Sequence, residues 1–166
     1  ASIPAGTANL VMGSGSVVGD CLSKSEDVDM VSFTGSTEAG QSIYKNAAVN
    51  IKKLGLELGG KSPNIIFADA DIEGAVEWAM IGVFFNQGEV CSGGSRIIIE
   101  ESIKDKFITR LKERASKMTI GNGLHDPDMG PLVSEHQLKT VLGFIETAKK
   151  EGCKIEYGGK RYTEGE

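Results

Sequence analysis

Short apolar segments that end in glycine, separated by amphipathic stretches, fill the first third of this chain and leave few folds open to it. Residues 9–12 read as a strand closed by Gly13-Ser14-Gly15, residues 16–25 as a weak helix, and residues 30–33 as a second strand. Ser36 is a natural N-cap for a helix running to about residue 49, and residues 51–58 form a third strand before Gly59-Gly60. Strand, helix, strand, helix, strand is the order of a parallel sheet, because parallel neighbours need a connection that travels back along the sheet.

The same alternation continues. Residues 64–67 read as a strand, and the helix from Asp71 to about Phe85 carries Ile72, Ala75, Val76, Ala79, Met80, Val83 and Phe84 on one face. Asn86-Gln87-Gly88 ends it and places Cys91 in a loop. Residues 96–99 are expected to be a buried strand, and Ser102 to cap a helix carrying Ile103, Phe107, Leu111, Ala115 and Met118. A Gly-, Pro-, Asn- and Asp-rich loop spans 121–131. Ser134-Glu135-His136-Gln137 is a capping-box pattern before a helix with Leu138, Val141, Leu142, Ile145 and Ala148 inward. Residues 154–157 read as a last strand. The fold class expected is α/β in two lobes.

Composition narrows the function classes. A chain of 166 residues builds a core without disulfides or metals. Its net charge of −5 argues against a nucleic-acid surface, which needs a basic stripe. The 22 glycines exceed the ordinary share of about 7% and suggest tight turns and close backbone approaches. Three widely spaced cysteines, Cys21, Cys91 and Cys153, make no disulfide framework, so a reducing, cytoplasmic setting is expected. Glu77 interrupts the longest apolar run, so no membrane span is expected, and the N-terminus has neither start Met nor signal-peptide pattern. The chain reads as a piece of something longer.

Four segments invite chemistry, each beside a plainer reading. Gly55-Leu56-Glu57-Leu58-Gly59-Gly60-Lys61-Ser62 fits the P-loop spacing, which predicts ATP binding dependent on Lys61. A P-loop opens a helix, however, and Ser62 is followed by Pro63 and a strand-like run; Glu57 would also set a carboxylate in the phosphate cradle. Gly35-Ser36-Thr37-Glu38-Ala39-Gly40 offers helix-start amides and a hydroxyl to a pyrophosphate, or is a simple capped turn; it is not the G-x-G-x-x-G fingerprint. Cys91, among Gly88, Gly93 and Gly94, is a reachable nucleophile with backbone amides beside it, or a buried structural thiol. Glu57, between Leu56 and Leu58, is a general base raised by apolar surroundings, or an exposed position of an alternating strand. Cys21 and Cys153 read as structural. His125 and His136 lack metal-ligand spacing, so no metal is expected.

Taken together, Phe33-Thr34-Gly35-Ser36-Thr37, Leu56-Glu57-Leu58-Gly59-Gly60-Lys61-Ser62-Pro63 and Phe85-Asn86-Gln87-Gly88-Glu89-Val90-Cys91-Ser92 resemble, in order and spacing, the aldehyde dehydrogenase superfamily. The likeness runs from Ile3-Pro4-Ala5-Gly6 through Met129-Gly130-Pro131-Leu132. It implies that Cys91 is the nucleophile, forming a thiohemiacetal and then a thioester, and that Glu57 activates the water that hydrolyses it. By the same likeness Gly35, Ser36 and Gly40 match the pyrophosphate-side turn of NAD or NADP, and Leu58 and Gly59 the nicotinamide-side backbone. Gln137 falls near a ribose-contacting position of some members. Residues 1–60 then correspond to the end of a parallel-sheet coenzyme-binding lobe, and 61–166 to the start of an α/β catalytic, thiol-bearing lobe. Glu57 favours hydrolysis to a free acid over transfer to coenzyme A, and Val90-Cys91-Ser92 is similar to betaine-aldehyde-type members.

The resemblance covers about the middle third of a family member. It leaves out the upstream segment with the oxyanion-hole asparagine and the ribose-side lysine, and the downstream segment that holds the nicotinamide ribose. The loss of one oxyanion donor alone costs on the order of 10²–10³ in rate, so the isolated chain is expected to be a weak or inactive enzyme. The expected partner is a small aldehyde, with no nucleic acid or membrane, and the parent protein is expected to be a homo-oligomer. The competing expectation is an inactive folded remnant that associates through unpaired sheet edges.

Overall fold

A computed structural model describes residues 3–163, and the chain divides into two compact units, Ala1–Gly59 and Gly60–Glu166. The first unit is built on one strand–helix–strand unit. Strand β1 (Met30–Gly35) pairs in parallel with β2 (Lys53–Leu58), in register from Met30 opposite Lys53 to Gly35 opposite Leu58. Between them, a helix runs over Thr37–Ala47, and before β1 the chain makes a π-helical turn, Gly15–Gly19, leading into α1 (Asp20–Lys24). The Thr37–Ala47 helix, α2, starts as expected: Ser36 is extended and its Oγ accepts from the Ala39 amide at 3.1 Å.

The helix stops two residues before the expected end. A tight turn over Ala48–Asn50 follows, Ile51 takes a left-handed φ of 55°, and the Lys52 amide returns to the Ala47 carbonyl. That reversal delays β2 to Lys53. A polar clamp ties α1 to α2: the Asn46 side chain donates to Asp20 Oδ1 at 2.8 Å and to Ser23 Oγ at 2.9 Å, and Ser23 is buried. Lys24 and Asn46 together hold the Asp20 carboxyl below the ordinary aspartate range. The strand expected at 9–12 does not form. Leu10, Val11 and Met12 lie exposed, and without a neighbour to take its amides and carbonyls an apolar run is only extended chain.

The second unit repeats the pattern. Strand β3 (Pro63–Ile66) pairs in parallel with β4 (Arg96–Ile99), joined through α3 (Ile72–Phe84), whose N-cap Asp71 accepts from the Glu73 and Gly74 amides. Helix α4 (Lys104–Ala115) packs on α3. The core where they meet is Ile66, Val76, Ala79 and Phe107, flanked by Ile72, Ile97, Ile99 and Leu111. Phe107 is 1% exposed, so Phe107→Ala should lower unfolding free energy by about 3–5 kcal/mol, read from urea denaturation.

Four local expectations need correction here. Strand β4 is half-buried, and on one face only, since Ile97 and Ile99 are partly covered while residues 96 and 98 are exposed. Ser102 does not cap α4; its hydroxyl donates to Glu100 Oε1 and lies inside a 3-10 turn, Glu101–Ile103, that leads into the helix. The last helix, α5 (Glu135–Lys150), takes the Ser134 cap, with Ser134 Oγ accepting from the Gln137 amide at 3.1 Å. Its apolar residues Leu138, Val141, Leu142 and Ile145 are not buried but line an open groove with Ile120 and Leu132. Residues 154–157 are not a strand, again for want of a partner.

Candidate active site

In the first unit, the six expected residues Gly35, Ser36, Gly40, Glu57, Leu58 and Gly59 gather where the carboxyl ends of two parallel strands meet the start of α2. The register sets Glu57 beside Thr34 and Leu58 beside Gly35, and α2 begins at the next turn. Ligands of open parallel sheets sit at such ends. Gly40 is required by packing: a Cβ there would lie 2.6 Å from Leu58 Cδ2. So helix and strand approach closely at the site, and the glycine that the sequence offered as a phosphate contact is first a packing residue. A Cβ added at Gly59 would meet nothing within 4 Å.

The donor set at this corner fits a phosphate. The first amides of a helix have no intrahelical acceptor, and in α2 the Ala39 amide is taken by Ser36 Oγ, which leaves those of Thr37 and Glu38 and the Ser36 O–H proton as donors. The Glu38 carboxylate, exposed in the same turn, has the opposite tendency, as does the exposed Glu57 carboxylate near the end of β2. Glu57 itself is exposed, while Leu56 and Leu58 on the other face of β2 are half-buried. Of the two readings of Glu57, this unit shows the exposed position of an alternating strand; strand alternation turns it away from its leucine neighbours.

In the second unit, Cys91 sits on a loop shaped by glycines. After α3, residues Asn86, Gln87 and Gly88 take left-handed φ values of 49°, 58° and 79° in succession. A left-handed non-glycine residue costs on the order of 1–3 kcal/mol, so two in a row need compensation. Asn86 has it locally: its side chain donates to the Glu89 carbonyl at 3.0 Å, and the Glu89 amide donates to the Asn86 carbonyl at 2.9 Å. Gly88 has no alternative, because a Cβ would also approach the Val83 carbonyl to 2.9 Å.

Cys91 and Ser92 then form the corner of a turn closed by the Gly93 amide on the Val90 carbonyl at 3.1 Å. The Gly94 amide donates to the Gly82 carbonyl at 2.8 Å and ties this turn to α3. Among the described residues, the Cys91 and Ser92 amides make no bond to another group. Gly60 lies against the loop, where a Cβ would meet the Cys91 carbonyl at 3.4 Å. Cys91 is exposed, which excludes the buried structural thiol. Cys21 and Cys153 are exposed too, contrary to expectation, so exposure alone does not single out Cys91.

The P-loop alternative ends here, since Ser62 leads directly into β3 and no helix follows Lys61. His125 lies in a 3-10 turn and His136 on α5, and among the described residues no three potential ligands cluster for a metal. Gln137 is in the first turn of α5. Gln87 has a left-handed backbone and a buried side-chain oxygen, both set by three-dimensional contacts that spacing in the sequence does not reveal.

Comparison with known proteins identifies the group to which this geometry belongs. The model of the aldehyde dehydrogenase family matches residues 1–166. Betaine aldehyde dehydrogenase of Bacillus subtilis is 49% identical over 162 residues, covering 97% of this chain and 33% of that protein. Mouse (Mus musculus) aldehyde dehydrogenase, cytosolic 1, is 49% identical over 164 residues, covering 98% and 33%. Among solved structures, a double mutant of Staphylococcus aureus betaine aldehyde dehydrogenase in complex with NAD+ superposes with a TM-score of 0.93 at 50% identity, covering 96% of this chain and 32% of that one. The α/β architecture with parallel strands is thus that of these relatives, and the chain spans about a third of their length. Among the described residues no helix is long and apolar enough to cross a membrane. With the family model matched along its whole length, the chain belongs to the aldehyde dehydrogenase family.

Proposed function

We propose that this chain supplies the nucleophile and the hydrolytic base of an enzyme that oxidises an aldehyde to a carboxylic acid with NAD+ or NADP+. The observation that carries the reading is Cys91, exposed at the corner of a glycine-bounded turn in a chain of this family. The Cys91 thiolate adds to the aldehyde carbon, forming a C–S bond and an oxyanion. The free amides of Cys91 and Ser92 are donors suited to that charge, which neighbouring dipoles stabilise most when they are fixed in advance. The bound cofactor supplies the hydride acceptor that turns this adduct into a thioester. Glu57 takes a proton from water, the hydroxide adds to the thioester carbon, and the C–S bond breaks to release acid and restore the thiolate.

For the cofactor, Ser36 and the first amides of α2 would hold the pyrophosphate, with Gly35 and Gly40 keeping that corner close-packed. Leu58 and Gly59 would present backbone to the nicotinamide. Residues 1–60 thereby serve as the coenzyme-binding part and 61–166 as the start of the thiol-bearing part. The NAD+ complexes of the solved relatives support this assignment, as the name of the cytosolic mouse relative supports a cytoplasmic location. Betaine aldehyde is the first substrate to try, and a homo-oligomeric parent protein is part of the same reading.

The test uses the chain alone and a chimera in which it replaces the matching third of the Bacillus subtilis betaine aldehyde dehydrogenase. With NAD+ and betaine aldehyde, the chimera should form NADH, read at 340 nm, while the chain alone forms little or none. A chimera that folds and binds NAD+ but oxidises no aldehyde in a broad panel would count against the reading.

A second reading, a folded association module without turnover, has one observation in its favour: each described sheet has two strands, both of them edges, and Trp78 and Phe144 are exposed. A monomeric sedimentation profile across a hundredfold range of concentration would remove it.

A further inference from the structure

Gln87 bears two costs at one position, and neither is met locally. Its φ is 58°, a conformation that asparagine and glycine adopt far more readily than glutamine. Its side-chain Oε1 is buried without a hydrogen-bond partner. Asn86, its neighbour, bonds its own turn through the Glu89 carbonyl, whereas the Gln87 side chain lies against Gly130. The fit there is close: a Cβ on Gly130 would sit 2.8 Å from Gln87 Nε2 and 3.8 Å from Cδ.

Gly130 is itself held in place. The bridge between Ile120 and Met129 and the Met129 amide on the Thr119 carbonyl at 3.1 Å fix the backbone just before it. Asp128 reinforces that segment, accepting from the Thr119 amide at 2.7 Å and its hydroxyl at 2.8 Å. Four residues after Gln87 comes Cys91, whose turn is tied down on its far side by the Gly93 amide on the Val90 carbonyl, the Ser95 amide on the Gly93 carbonyl and the Gly94 amide on the Gly82 carbonyl.

We propose that Gln87 is a positioning residue for Cys91: its side-chain amide, wedged against Gly130, holds the left-handed turn that presents the thiol and couples the 119–130 segment to the nucleophile loop. The proposal rests on the reading of Cys91 as the nucleophile. It makes a prediction opposite in sign to simple backbone relief. Glycine at a left-handed position ordinarily eases the chain, so if backbone strain were the whole matter, Gln87→Gly would leave the loop unchanged or tighten it. If the amide is the wedge, Gln87→Gly loosens it.

The experiment is amide hydrogen exchange on the 166-residue chain, read by NMR at Gly93 and Gly94, with amides of α3 and β4 as internal references. Gln87→Gly should raise exchange at Gly93 and Gly94 about tenfold and leave the references within about twofold, as expected for a local opening. Gly130→Ala, which pushes on the Gln87 amide without altering residue 87, should do the same. The double variant should be no faster than Gln87→Gly, because the two changes act through one contact. Unchanged or slower exchange in Gln87→Gly with the references intact overturns the proposal. So does a Gly130→Ala effect that persists at full size in the Gln87→Gly background. If Gln87→Gly disturbs the references as well, Gly130→Ala decides alone: faster exchange at Gly93 and Gly94 supports the wedge, and unchanged exchange overturns it.

In the chimera, Gln87→Gly should lower kcat about tenfold with KM unchanged, and an unaltered kcat overturns the positioning role. Exchange reads the wedge without any turnover. If the wedge is present but Cys91→Ala leaves aldehyde oxidation intact, the nucleophile reading has failed and the positioning role falls with it, while the contact itself stands.

Discussion

Replacing Cys91 by alanine in the chimera should lower aldehyde-dependent NADH formation by roughly 10⁴-fold or more, the scale of loss when a covalent nucleophile is removed. The same change at Cys21 or Cys153 should leave the rate within about twofold. All three thiols are exposed, so the contrast does not rest on accessibility. It rests on what surrounds each one. Cys21 lies within the short helix α1 and Cys153 follows the end of α5, whereas Cys91 occupies a turn corner where the Cys91 and Ser92 amides have no acceptor among the described residues. Because an exposed cysteine fills no core volume, Cys91→Ala should shift stability by no more than about 0.5 kcal/mol. A lost rate with an unchanged urea midpoint therefore reports chemistry and not unfolding.

Glu57→Gln should have a different signature. The substitution keeps the shape of the side chain and falls on the exposed face of β2, so pairing from Met30–Lys53 through Gly35–Leu58 is not disturbed. The amide does not take a proton from water. Thioester should therefore form and persist, giving a rapid burst of roughly one NADH per active chain. Steady turnover after it should be slower by about 10²–10⁴-fold, the usual worth of a positioned base. Stopped-flow absorbance at 340 nm separates the two phases. A slow steady rate with no burst would place Glu57 before the thioester, in activation of the thiol, and would contradict the hydrolytic role.

How far the sequence leads depends on whether a feature is local. The parallel alternation, the Ser36 and Asp71 helix starts, β4 at 96–99 and the loop around Cys91 all follow from capping chemistry, periodicity and glycine placement within a few residues. The strands expected at 9–12 and 154–157 do not form, because a strand is defined by a neighbour that lies elsewhere in the chain and the apolar pattern alone cannot provide one. Ser102 fails as a cap because the 3-10 turn Glu101–Ile103 carries it past the start of α4 and leaves Ile103 at the N-cap position. Glu57 shows the limit most clearly. Its leucine neighbours in sequence allow either apolar surroundings or an exposed position of an alternating strand, and only the folded strand decides for the exposed one. Gln87 was invisible for the opposite reason, since its partner Gly130 is 43 positions away and nothing in either residue announces the contact.

The central claim, that Cys91 carries the substrate as a thioester, is tested most directly by mass spectrometry of the Glu57→Gln chimera. The protein is quenched in acid after one turnover with NAD+ and betaine aldehyde, digested, and its cysteine peptides are weighed. An acyl adduct on the peptide containing Cys91, and absent without NAD+, is the expected result. An adduct on another cysteine, or none on a protein that has released its burst of NADH, would contradict the account.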